Sequence, residues 1–183
     1  MSPTPGVRLA LTVAVLLPLA PRARAEVGEL PPVVEAVEAP DPQPEEESAP
    51  DPRIREQLNE LGLEYQVDDD GDYKLLFETD GDRSQLVFVL SATNEYRGFQ
   101  IREIWAYGYE SATEEIPADV ANRMLEDSYK SKLGSWVKIG NNGVYVSKIV
   151  ADADPDTLDA AIVLTMEKAD EMEAALTGDE DRF

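Results

Sequence analysis

Asp119–Val150 reads DVANRMLEDSYKSKLGSWVKIGNNGVYVSKIV, and its pattern decides the fold class. Val120, Met124 and Ser128 recur at helical spacing, with Ala121, Leu125 and Tyr129 beside them. Lys130 and Lys132 suit the negative end of that helix. Gly134 is expected to end it in a left-handed conformation. Ser135–Ile139 and Val144–Val150 are rich in β-branched and aromatic residues. Asn141-Asn142-Gly143 between them predicts a hairpin turn, because Asn and Gly tolerate positive φ. A helix feeding a lone hairpin leaves apolar surface uncovered, so a larger sheet is required.

The residues before this stretch supply that sheet. Asp51 and Pro52 suit the N-cap and first position of a helix carrying Ile54, Leu58 and Leu61, and Gly62 suits its stop. Four strands are predicted next: Leu63–Val67, Tyr73–Thr79, Leu86–Leu90 and Phe99–Tyr109. Tyr73, Leu75 and Phe77 share a face, and Leu76 breaks the alternation. LVFVL at 86–90 is apolar on both faces, which suits a central strand. Phe99, Ile101, Trp105, Tyr107 and Tyr109 share one parity, interrupted by Glu103. Turn-rich segments at Asp68–Gly71, Asp80–Asp82 and Ala92–Gly98 join these strands into an antiparallel meander. Asp154-Pro155-Asp156 opens a last helix with Leu158, Ala161, Ile162, Thr165, Ala169, Met172 and Leu176 inward. Glu167, Asp170, Glu171 and Glu173 are expected to face water, and Gly178 to end the helix. The expected fold is α+β, an antiparallel sheet with helices packed on one face, in the order α-ββββ-α-ββ-α.

Two segments precede this domain. Met1–Ala25 has a weakly basic start, the apolar run Leu9–Ala20 and the small-x-small sequence Ala23-Arg24-Ala25, the pattern of a signal peptide cut before Glu26. The apolar run is too short for a membrane-spanning helix, which needs about 20 residues. Residues 26–50 hold six Pro and eight acidic groups with no Lys or Arg, a composition that predicts a disordered linker. Leu30, Val33 and Val34 form a small apolar group within it. The domain is expected over 51–177, with an acidic, loose tail at 178–183. These features place the protein outside the cytoplasm, periplasmic or secreted.

Charge and composition narrow the chemistry. The 183 residues carry 16 Lys and Arg against 38 Asp and Glu, a formal charge of −22. Without Arg8, Arg22 and Arg24 of the leader, 13 cations remain against 38 anions, or −25. Such a field repels nucleic acid and anionic membranes, and favours partners that are cationic or dock through apolar groups. The absence of Cys and His removes disulfides, thiol nucleophiles, Ser-His-Asp triads and the usual zinc ligand sets. Asp68–Asp72 resembles a calcium loop, but with Gly71 in the sixth place the first and twelfth would be Gln66 and Phe77, which offer no carboxylate. Turn formation explains these Asp and Gly residues. Glu103 is the one carboxylate interrupting an apolar strand face. It would be the residue to test for acid–base chemistry, or it marks a sheet edge or bulge.

Trp105, Tyr107, Tyr109, Trp136 and Tyr145 are the remaining candidates. Aromatic residues with polar tips serve as partner-binding anchors as well as core. The candidate partner-binding residues are Trp105, Tyr107, Tyr109 and Trp136.

Three stretches together resemble the YbjN family of bacterial sensory transduction regulators: LGLEYQVDDDGDYKLLF, then ANRMLEDSYKSKLGSWVKIGNNGVYVSKIVADAD, then TLDAAIVLTMEKADEMEAAL. The likeness covers roughly residues 54–176. It implies the fold of type III secretion chaperones and a non-enzymatic protein without cofactor or metal. It further implies a protein or peptide partner held in a chaperone-like or regulatory role, and a possible homodimer. The alternatives are an acidic, cation-responsive envelope protein and a carboxylate-based hydrolase.

Overall fold

The computed structural model describes residues 49–80, 83–178 and 182–183. The expected leader, nearly all of the linker and residues 179–181 of the expected tail lie outside the described residues.

Helix α1 (Pro52–Leu61) begins where the Asp51 carboxylate accepts the Arg53 N–H at 2.9 Å. It ends at Gly62 (φ 69), after which the Leu63 N–H returns to the Leu58 carbonyl at 3.0 Å. Strands β1 (Gln66–Val67), β2 (Tyr73–Thr79), β3 (Arg83–Tyr96) and β4 (Phe99–Glu110) follow. Next come α2 (Ala118–Lys130), the hairpin β5 (Gly134–Ile139) and β6 (Asn142–Val150), and finally α3 (Pro155–Thr177). The six strands form one antiparallel sheet in the order β1-β2-β3-β4-β6-β5.

Four local expectations change. The first strand shrinks to two residues, because Leu63 is used in closing α1. β3 runs on through the segment expected to be a loop and turns only at Arg97-Gly98, whose φ values of 50 and 87 fit the tight turn that right-twisted strands prefer. α2 stops at Ser131 in extended conformation, so Gly134 is not its left-handed cap. Gly134 instead lets β5 approach β6: a Cβ there would lie 2.6 Å from the Val146 carbonyl oxygen. The β5–β6 turn lies at Gly140-Asn141, one residue early, with glycine (φ 58) at the position requiring positive φ. Gly143 is therefore a strand residue beneath Met124, whose terminal methyl would collide with a Cβ.

The helices cover one face. Alternation along the strands sends Tyr73, Leu75, Val87, Val89, Ile104, Ala106, Tyr145 and Ile149 into the core, where they meet Ile54, Leu58, Val120 and Met124. α3 supplies Leu158, Ala161, Ile162, Thr165, Ala169 and Met172. Each fully buried aliphatic side chain contributes about 1.5–3 kcal/mol. The expectation that Asp170 and Glu173 face water is corrected. Asp170 pairs with Arg83 and accepts the Thr79 hydroxyl at 2.8 Å. Glu173 is fully buried and accepts the Arg182 N–H at 2.7 Å. Asp170 thus ties α3 to the ends of β2 and β3, and Glu173 ties it to the C-terminal tail. The tail also makes specific contacts: the Phe183 main-chain oxygen accepts the Leu86 N–H, and its ring stacks on Tyr107.

Candidate functional site

Strand register assigns the residues of the opposite face. Lys74 pairs with Phe88, Phe88 with Trp105, Trp105 with Val146, and Val146 with Ser135. A second row contains Leu76 opposite Leu86, and Tyr107 opposite Val144 opposite Val137. Toward the other end come Glu103 opposite Lys148, Ile101 opposite both Val150 and Asn94, and Tyr96 opposite Phe99. These residues all share the face turned away from α1, α2 and α3.

This face is apolar and partly exposed. Leu76, Tyr96 and Phe99 are 68%, 65% and 60% exposed. Phe88 and Tyr107 meet edge to face at 5.9 Å. A groove of about 510 Å³ opens beside them, lined by Glu64, Tyr65, Gln66, Lys74, Leu76 and Leu86. Trp105 donates its indole N–H to Glu103 at 2.8 Å, and the other Glu103 oxygen is 2.8 Å from the Lys148 ammonium. Glu103 is thus held by two donors on the rim of an aromatic cluster. It interrupts the aromatic parity because that parity faces away from the helices.

The candidate aromatics separate. Trp105 and Tyr107 lie together on the helix-free face, half-buried. A register shift between Tyr107 and Tyr109 turns Tyr109 back toward the core. Trp136 is only 6% exposed, edge to face with Tyr145 at 5.4 Å, and its indole N–H donates to Asp127 at 2.9 Å. Its ring lies over Gly108, where a Cβ would come within 2.6 Å of the indole. Trp136 and Tyr145 therefore serve the core and present no accessible surface, a correction to Trp136 as an anchor.

The residues that sequence reasoning missed are Leu76, Leu86, Phe88, Tyr96 and Phe99. A signal for them was present: Leu76 broke the alternation of β2, and LVFVL was apolar on both sides. Both facts fit a sheet whose second face is also apolar.

Other sites offer less. Between α2 and α3 a charged cleft of about 270 Å³ is lined by Arg123, Glu126, Asp127, Lys130, Lys168 and Glu171. Lys168 reaches Asp127 and Glu171 at 3.2 and 2.9 Å, and these partners, Glu171 foremost, raise its pKa. The cleft neutralises itself. In the Asp68–Asp72 loop, Asp68 spends a carboxylate oxygen on the Asp70 and Asp72 N–H groups. Among the described residues, no three acidic side chains converge as a metal cage.

No protein-family model matches the chain, and no curated protein matches it.

Proposed function

We propose that this protein is a non-enzymatic, exported binding protein of the YbjN type, with a secretion-chaperone-like fold, that holds a segment of a protein partner on its helix-free sheet face. The observation carrying this reading is the placement of Trp105 and Tyr107 beside Phe88, Leu86 and Leu76 on one partly exposed surface. Large, rigid aromatic side chains give contact area at low entropic cost, and few such anchors dominate binding. The sheet face is broad and shallow, which suits an extended segment rather than a small molecule. Docking through apolar groups also agrees with a chain whose overall charge repels nucleic acid and anionic membranes.

The test is in-cell crosslinking of the tagged protein, followed by pull-down and mass spectrometry. A dominant protein partner is expected, and Trp105→Ala and Tyr107→Ala should each lose it while remaining folded. Recovery of that partner at unchanged yield by both variants would reject this face.

A further inference from the structure

The sheet opens at one end. The β3–β4 ladder stops at Val87–Ala106, although the two strands run on to Arg83 and Glu110. Continued register would set Leu86 against Tyr107, and that pair does not form. Two main-chain groups of the missing pair find other partners. The Tyr107 carbonyl accepts the Gln85 side-chain amide at 3.0 Å, and the Leu86 N–H donates to the Phe183 main-chain oxygen at 3.3 Å. The tail thus supplies an acceptor that β4 would have supplied.

Two further contacts seat the tail there. The Phe183 ring lies nearly parallel to Tyr107, with 22° between planes and 6.1 Å between centres. The Arg182 N–H reaches the buried Glu173 carboxylate of α3 at 2.7 Å. The two residues therefore bridge the helix side and the helix-free side at the gap between β3 and β4. Tyr107 belongs to the docking face, so Phe183 occupies part of that face. The fit is incomplete in one respect. Gln85 is fully buried, and its Oε1 accepts no hydrogen bond among the described residues. A buried acceptor left without a donor is costly. A segment that seats a ring on Tyr107 and also brings an N–H to Gln85 gains what the tail does not.

We infer that Phe183 is a resident ligand of the docking face. The gap and Tyr107 form a site for an extended segment that carries an aromatic residue, and the tail holds this site until such a segment displaces it. This inference rests on the reading of the helix-free face as a docking surface. The aromatic requirement follows from the surface it meets, Tyr107 set edge to face with Phe88, since paired rings attract beyond the area they bury. An added strand draws affinity from main-chain hydrogen bonds and specificity from alternate side chains, and the Leu86 N–H and Tyr107 ring offer one of each. A tethered residue competes at a local concentration in the millimolar range, so it excludes weak ligands and yields to one with more contacts. The partner's apparent affinity falls by the fraction of time Phe183 is seated.

The test follows hydrogen exchange at the Leu86 amide by NMR in the full chain, in Phe183→Ala and in a chain ending at residue 181. Exchange should be about ten-fold faster in both variants, while the Val87 and Val89 amides keep their wild-type rates and report an intact sheet. A synthetic Asp-Glu-Asp-Arg-Phe peptide at millimolar concentration should restore slow exchange to the shortened chain. The same peptide with Phe183→Ala should not, and neither should protect the shortened chain carrying Tyr107→Ala. Equal exchange at Leu86 in the full chain and both variants overturns the inference, and so does equal protection by the two peptides. Partner capture in the crosslinking assay is the second readout, and Phe183→Ala should raise its yield about three-fold. An unchanged or lower yield overturns the inference and leaves the docking face standing, provided Trp105→Ala loses the partner. If Trp105→Ala and Tyr107→Ala both keep the partner, the docking reading fails and takes the inference with it.

Discussion

Arg102 on β4 reaches the Asp51 carboxylate at 2.6 Å and so ties the middle of the sheet to the N-cap of α1. Arg102 is almost fully buried, and its second terminal nitrogen donates to the Leu90 carbonyl at 2.6 Å. Burial alone would raise the Asp51 carboxyl. Hydrogen bonds from Arg53 and Arg102 outweigh it and hold the group well below the usual carboxylate range. Removing the charge leaves a buried guanidinium without its counter-ion, so Asp51→Asn should cost about 3 kcal/mol at pH 7. The folded pKa is depressed, so this stability is present above about pH 3.9 and is lost as pH falls through the folded value. Urea melts of both proteins should therefore differ most near neutrality and converge in strong acid. Asp72 has the opposite sign. Burial raises it, despite the Ser91 N–H, so acid relieves rather than removes stability there.

Gly134 and Gly143 give a paired comparison. A Cβ at Gly134 collides with the Val146 backbone oxygen, whereas one at Gly143 collides with the end of the flexible Met124 side chain. Backbone within a sheet yields less than a methionine terminus. Gly134→Ala should cost about 2–3 kcal/mol and Gly143→Ala about 1 kcal/mol, read as shifts in denaturation midpoint.

The two tryptophans should part by function. Trp136→Ala removes a buried ring and its bond to Asp127, and about 3–5 kcal/mol of stability should go with it. Trp105→Ala empties a half-exposed position and should cost about 1–2 kcal/mol while abolishing partner capture. Thermal melts run beside the crosslinking assay check both.

Arg97 holds a left-handed conformation at φ 50 that Asn adopts more readily. Arg97→Asn should raise stability by about 0.5–1 kcal/mol in thermal melts. Arginine here gives up turn stability and keeps a cation at the edge of the face.

The α+β class, the antiparallel sheet and the principal helix caps were legible because Asp51-Pro52, Gly62 and Asp154-Pro155 are local signals whose geometry needs no tertiary partner. Gly134 and Gly143 misled because a glycine required for close approach looks the same in sequence as one required for positive φ. The β3–β4 turn was hidden since arginine is not a usual residue at its position. The aromatic parity of β4 held from Phe99 to Tyr107 and failed at Tyr109, where a register shift that sequence does not announce turns the strand; the side it faces was not legible, because Arg102 occupies a core position only by virtue of Asp51. Trp136 was misplaced as an anchor because nothing in sequence tells a tryptophan over a glycine from one facing water.

α3 is the last helix in chain order, yet β3, β4 and β6 all pack against it. During synthesis α1, the six strands and α2 all emerge before α3, so the part of the inner apolar side that α3 covers stays open until it follows. Completion of the core therefore awaits a distant piece of chain, and assembly is governed by non-local closure. Newly made molecules pass through a period in which the part of the sheet that α3 will cover is bare. During that interval the open apolar surface is most exposed to wrong association.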